Sequence, residues 1–87
     1  MDRLKLLESL ALNNNLSKSE MNVVYFCYKK GRTSKEIAVY LGWASPNVAR
    51  LLLSMYNKGF LERNLLEEDK KTYIYITNDK SELLHIK

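Results

Sequence analysis

Apolar residues recur at helical spacing through the first two-thirds of the chain and at strand spacing after it. Leu4, Leu7 and Ala11 share one face of a segment over 2–12, Leu6 and Leu10 widen that face, and Asn13-Asn14-Asn15 close it. Ser17, with Glu20 three residues on, forms a capping box, and Leu16 and Met21 stand at the positions of a hydrophobic staple. They predict a second helix reaching about Lys30. Its middle, Val23-Val24-Tyr25-Phe26-Cys27-Tyr28, is apolar all round, which predicts burial on more than one side. Gly31 is expected to stop it, with Arg32 in a very short strand. Thr33 and Glu36 form a second capping box ahead of a helix over 34–41.

The next turn is the most informative. Ile37, Ala38 and Leu41 make the apolar face of the short helix, and Gly42 follows where the chain needs a left-handed residue. Ser45 is expected to cap a further helix over 46–58, with Pro46 at its first position. Val48, Leu51, Leu52 and Met55 supply its buried stripe, leaving Asn47, Ala49, Arg50 and Ser54 outward. Small Ala38 permits a close helix crossing, and apolar side chains are expected in the core at 37, 41, 43, 48 and 51. Leu51, Leu52 and Leu53 are consecutive, so one faces out. Leu53 is the expected one, either as a lone surface leucine or as a partner contact. Together, 34–58 read as a helix-turn-helix.

Gly59 stops that helix. Phe60–Leu65 turns extended, Glu67-Glu68-Asp69-Lys70-Lys71 is a polar turn, and Thr72-Tyr73-Ile74-Tyr75-Ile76-Thr77 alternates as a strand. Ile74 and Ile76 are expected to face the core, with Tyr73 and Tyr75 half exposed. Residues 60–77 are thus a hairpin, and Asn78 can cap a last short helix over 79–86. The fold class is mainly α with a small β-hairpin, a winged helix-turn-helix. The 87 residues form one domain: an N-terminal helix over 1–15, a helical core over 16–59, a wing over 60–77 and a short segment over 78–87.

Charge sharpens this reading. The net charge is +4, and residues 45–59 carry Arg50 and Lys58 but no acid, so nothing on the outward helix repels phosphate. Lys29, Lys30, Arg32 and Lys35 cluster ahead of the motif, as a solvated helix end or as phosphate anchors. Cys27, the one cysteine, lies in an apolar run and reads as a packed core thiol. No apolar run approaches the ~18 residues of a membrane span. The charged N-terminus is unlike a secretion signal, and the expected location is intracellular, in the cytoplasm.

Residues 16–84 resemble a winged helix-turn-helix of the MarR type, including the related TrmB-like regulators. Leu16-Ser17-Lys18-Ser19-Glu20 with Val23-Val24 is similar to that family's L-T-x-x-E…V-L helix. Gly59-Phe60-Leu61-Glu62-Arg63 resembles G-L-V-E-R, Glu68-Asp69-Lys70-Lys71 resembles the wing-tip E-D-R-R, and Ile76-Thr77 the closing L-T. The resemblance implies that Ser45, Asn47, Ala49, Arg50 and Ser54 face a DNA major groove. It also implies that the wing cations, Lys70 and Lys71, reach the minor groove or the backbone; the basic cluster adds Lys35 and Arg32 as candidate backbone contacts. Lys71 stands where the family has an arginine, so its contact would be a point charge without a bidentate fork. Three acids crowd the wing tip. The family's long C-terminal dimer helices have no counterpart here, so the chain reads as truncated at that end. A homodimer is then expected through the N-terminal helix, at Leu4, Leu7, Leu10 and Ala11.

No nucleophile with a base beside it, Gly-rich phosphate loop or metal-ligand set stands in the sequence, so no enzyme, metal or cofactor is expected. The expected function is sequence-specific binding of double-stranded DNA by a small transcription regulator, with any small-molecule effector unassigned. The alternative is a winged helix that contacts protein in a transcription or other complex.

Overall fold

The computed structural model describes residues 16–78 together with Leu4. Leu4 is helical and 68% exposed. The rest of the N-terminal helix expected over 2–12, with Leu7, Leu10 and Ala11, and the helix expected over 79–86 lie outside the described residues. Within the described stretch 16–78 the elements run α1 Lys18–Phe26, β1 Arg32–Thr33, α2 Ser34–Leu41, α3 Ser45–Asn57, β2 Leu61–Leu65 and β3 Tyr73–Thr77. The three strands form one antiparallel sheet in the order β1-β3-β2.

Both capping boxes form. The Ser17 hydroxyl accepts from the Glu20 N–H, and Glu20 accepts from the Ser17 N–H; Thr33 and Glu36 repeat the exchange. Each such cap stabilises its helix by about 0.5–2 kcal/mol. Glu20 is nearly buried and also meets Lys58 Nζ at 3.4 Å, tying the start of α1 to the end of α3. Burial pushes its carboxyl up. The Ser17 N–H, the Ser17 hydroxyl and Lys58 more than offset this, leaving it below the ordinary value.

Helix α1 is shorter than its apolar run suggested. It ends at Phe26 rather than Lys30, because its last carbonyls are taken from outside the helix. The Thr77 hydroxyl donates to Val24 O at 2.6 Å, the Thr77 N–H to Cys27 O at 3.1 Å, and Arg32 Nε to Phe26 O at 3.1 Å. Lys29, not Gly31, takes the left-handed turn at φ 59. Gly31 serves a different need: a Cβ there would lie 2.2 Å from Ile74 Cγ2.

The core is built where these elements meet. Val23, Val24, Cys27 and Tyr28 pack with Ile37 and Ala38, with Val48, Leu52 and Met55, and with Phe60 and Leu61. Cys27 is fully buried, and burial pushes its thiol up to about 12, so it stays protonated and apolar at neutral pH. The Tyr28 hydroxyl is buried without a partner among the described residues.

The hairpin inverts the expected alternation. Tyr75 and Thr77 are buried, whereas Ile74 and Ile76 are only half-buried. Thr77 sets the parity: its hydroxyl reaches the α1 carbonyl, so 73, 75 and 77 share the helix-facing side with their partners Leu65, Arg63 and Leu61.

Candidate nucleic-acid interface

Two helix ends built the same way set the reading helix in place. At the end of α2, Gly42 lies at φ 70; its N–H bonds Val39 O and the Trp43 N–H bonds Ala38 O. At the end of α3, Gly59 lies at φ 87; its N–H bonds Tyr56 O and the Phe60 N–H bonds Met55 O. Both are Schellman motifs, which a left-handed glycine admits without strain.

The start of α3 differs from expectation. Ala44, not Ser45, is the cap residue: its carbonyl accepts from the N–H groups of Asn47 and Val48, so the helix begins one residue early. Pro46 still falls in the first turn, where a missing N–H costs nothing. No side chain caps this end. Trp43 also departs from its expected core position. It stands 38% exposed, lining a shallow depression with Gly42, Ala44, Asn47 and Arg50.

Val48, Leu52 and Met55 are fully buried and Leu51 half-buried, so the stripe facing the core is as expected. Ser45, Asn47, Ala49 and Arg50 are exposed and Ser54 is half-buried. Leu53 is 50% exposed. Arg50 Nη2 donates to Asn47 Oδ1, joining the two candidate base readers one helical turn apart. Asn47 therefore has one lone pair of its carbonyl oxygen occupied in the free protein, and its second lone pair and amide N–H groups remain for a base edge.

The basic residues expected on the backbone are unequal. Lys35, Lys70 and Lys71 are exposed. Arg32 is committed to its own fold: besides bonding Phe26 O, it lies 4.0 Å over the Phe26 ring and 3.9 Å from Glu36. Phe26 in turn stacks on Tyr40 with centroids 4.0 Å apart.

Two further residues shape the wing, and the sequence reading passed over both roles. Arg63 of β2 lies 4.3 Å over the Tyr56 ring of α3 and 4.5 Å over the Tyr73 ring of β3. Asp69 organises the wing turn: one oxygen accepts from the N–H groups of Lys71 and Thr72, the other from the Thr72 hydroxyl at 2.6 Å. Lys70 then takes a left-handed φ of 55 and bonds back to Leu66 O. The Thr72 hydroxyl, with the N–H groups of Lys71 and Thr72, holds the Asp69 carboxyl at about 2, below its ordinary 3.8. A lowered acid pKa stabilises the fold fully above pH 3.8, and that contribution is lost as pH falls through about 2. A carbon-detected titration of the Asp69 carboxyl should accordingly show a midpoint near 2. A midpoint at the ordinary value would mean that this turn does not hold in solution.

Among the described residues no group of His, Cys, Asp and Glu side chains is placed to hold a metal ion, and no helix is long and apolar enough to cross a membrane.

No protein-family model matches the chain, and no curated protein matches it in sequence. Solved structures do share its fold. The transcriptional repressor CouR, bound to a 23-mer DNA duplex, matches with a TM-score of 0.72 at 24% identity, over 93% of this chain and 57% of that one. MarR matches with a TM-score of 0.68 at 22% identity, over 90% of this chain and 57% of its own. The transcriptional regulator Tm0710 from Thermotoga maritima matches with a TM-score of 0.72 at 20% identity, over 94% of this chain and 58% of its own. The chain thus spans less than two-thirds of each of these structures. Helices α1 to α3, a turn closed by Gly42 and a hairpin wing pinned to α1 by Thr77 give it the winged helix-turn-helix fold of the CouR and MarR structures.

Proposed function

We propose that this chain binds double-stranded DNA sequence-specifically as a transcription regulator without enzymatic activity, laying α3 in the major groove. The observation that carries this is the outward face of α3: it is free of acids and presents Arg50, joined to Asn47, at its exposed first half. A guanidinium offers two parallel donors that match guanine O6 and N7, and Asn47 holds it ready for them. The uncapped start of α3 leaves N–H groups for a phosphate oxygen. Lys35, Lys70 and Lys71 supply sequence-independent backbone contacts. The CouR structure, solved on a DNA duplex, supports the same use of the fold.

Two-fold pairing of the chain through its N-terminal segment, where Leu4, Leu7, Leu10 and Ala11 recur at helical spacing in the sequence, belongs to the same proposal. It requires a palindromic site with half-sites ~10 bp apart or a multiple of that.

Selection of bound duplexes from a random pool tests both parts. Arg50→Ala should then weaken the selected duplex by about 1–3 kcal/mol and relax preference at one base pair. Equal losses on selected and random duplexes would make Arg50 a phosphate contact. A non-palindromic selected site would remove the dimer.

A second reading, protein contact, is favoured by one observation. Val39 is 78% exposed and, with Phe26 and Tyr40, lines an open apolar depression on α2. A duplex affinity that stays flat as salt rises would favour it, because phosphate contacts make binding salt-dependent.

A further inference from the structure

The major groove of B-DNA is about 12 Å wide, and an α-helix with its side chains measures about 10–12 Å across. A helix lying in that groove therefore has a sugar–phosphate strand against each flank. The flank of α3 that carries Tyr56 is the one on which the wing packs, and Arg63 fills the crease between them. Its guanidinium sits between Tyr56, 37% exposed, and Tyr73, 38% exposed, and Arg63 as a whole residue is half-buried. Three features suit this position to a phosphodiester. The charge is permanent, since a guanidinium does not lose its proton near neutral pH. Rings on two sides hold the group by its faces, and one of its five N–H donors bonds the Tyr75 side chain, which leaves the others at its edge for a ligand. Among the described residues no carboxylate stands within salt-bridge distance of it, whereas Arg32 has Glu36.

The wing tip contrasts with this. Glu67 and Glu68 are exposed there, beside Lys70 and Lys71, so positive and negative charges mix. Asp69 spends its oxygens on the turn. The preorganised cation of the wing lies at its base.

We propose that Arg63, clamped between Tyr56 and Tyr73, is a phosphate-binding residue at the junction of reading helix and wing. This rests on the DNA-binding function proposed above. It gives that function a backbone contact tying the wing's position to the helix, because the same side chain touches α3, β3 and the duplex.

The test is duplex binding by the full chain across a salt series, followed by fluorescence anisotropy on a selected and a random-sequence duplex. R63M should weaken both alike, by roughly fivefold at about 0.15 M salt, and flatten the slope of log K against log salt by roughly 0.9. An R63M chain with a native circular-dichroism spectrum and an unchanged slope would overturn the proposal, leaving Arg63 as a strut between helix and wing. If R63M does not fold, phosphate-ethylation interference on R63K decides. One ethylated phosphate flanking the groove should impair the unaltered chain more than R63K, because lysine keeps the charge but loses the stacked fork. Equal interference at every phosphate overturns the proposal. Failure of the unaltered chain to bind any duplex at low salt removes the underlying function as well, and so is distinct from an unchanged slope.

Discussion

Replacing Phe60 by alanine should destabilise the fold by about 3–5 kcal/mol. Phe60 is 1% exposed and stands at the junction of α3 with the hairpin. It follows the left-handed Gly59, its N–H bonds Met55 O at the end of α3, and its carbonyl accepts from the Asn78 N–H beyond β3. Alanine keeps those backbone bonds, so the loss reports the ring alone. A domain of this size has only about 5–15 kcal/mol in total, so the midpoint of urea unfolding should fall steeply. The slope of the transition should hold. A loss under about 1 kcal/mol would mean that Met55 and Leu61 collapse into the space, contrary to a close-packed core.

Gly31→Ala should cost about 1–3 kcal/mol, through crowding rather than backbone strain. Its backbone lies outside the left-handed region, so the cost comes from the Ile74 side chain, whose Cγ2 would lie 2.2 Å from the added methyl and whose Cβ 3.6 Å from it. Isoleucine is branched at Cβ and held in the middle strand, so that methyl cannot swing aside cheaply. A double-mutant cycle checks the cause. Ile74→Ala removes the clashing atom, so it should cost less when Gly31 is already alanine, with a coupling of about 0.5–3 kcal/mol. Strict additivity of the two substitutions would show that they do not meet.

Local chemistry was legible in the sequence wherever it sets structure by itself. Ser17 with Glu20, Thr33 with Glu36, and Gly42 read correctly because a cap or a left-handed turn needs particular residues at fixed offsets. The buried stripe of α3 was legible for the same reason, since helical period alone separates Val48, Leu52 and Met55 from Asn47 and Arg50. What failed depends on partners distant in sequence. Nothing near Phe26 shows that Thr77, some fifty residues on, will take the carbonyls that would have continued α1. The same contact decides which side of β3 turns inward, and isoleucine is more apolar than tyrosine, so the pattern pointed the wrong way at Ile74 and Tyr75. Trp43 misled by size: a large ring suggests core, yet the backbone closes the turn and leaves the ring beside Arg50. Arg63 read only as part of a resemblance, because its place between two tyrosines needs α3 and β3 together. Asp69 was the recoverable miss. An aspartate two and three residues before the N–H groups it binds is a local turn signal, obscured here by the run of charges around it.

The strand order β1-β3-β2 places the last-made strand in the middle of the sheet. On the ribosome, α1 to α3 and both flanking strands emerge before Tyr73. During that interval β1 and β2 have no neighbour, and the carbonyls of Val24 and Cys27 still wait for Thr77. Such a nascent chain exposes unpaired strand edges of the kind that invite pairing with other chains. Completion of β3 satisfies the edges, closes the end of α1 and seats Tyr75 in one step. The wing's return strand is thus the piece of chain that joins β1, β2 and the end of α1 in the folded domain.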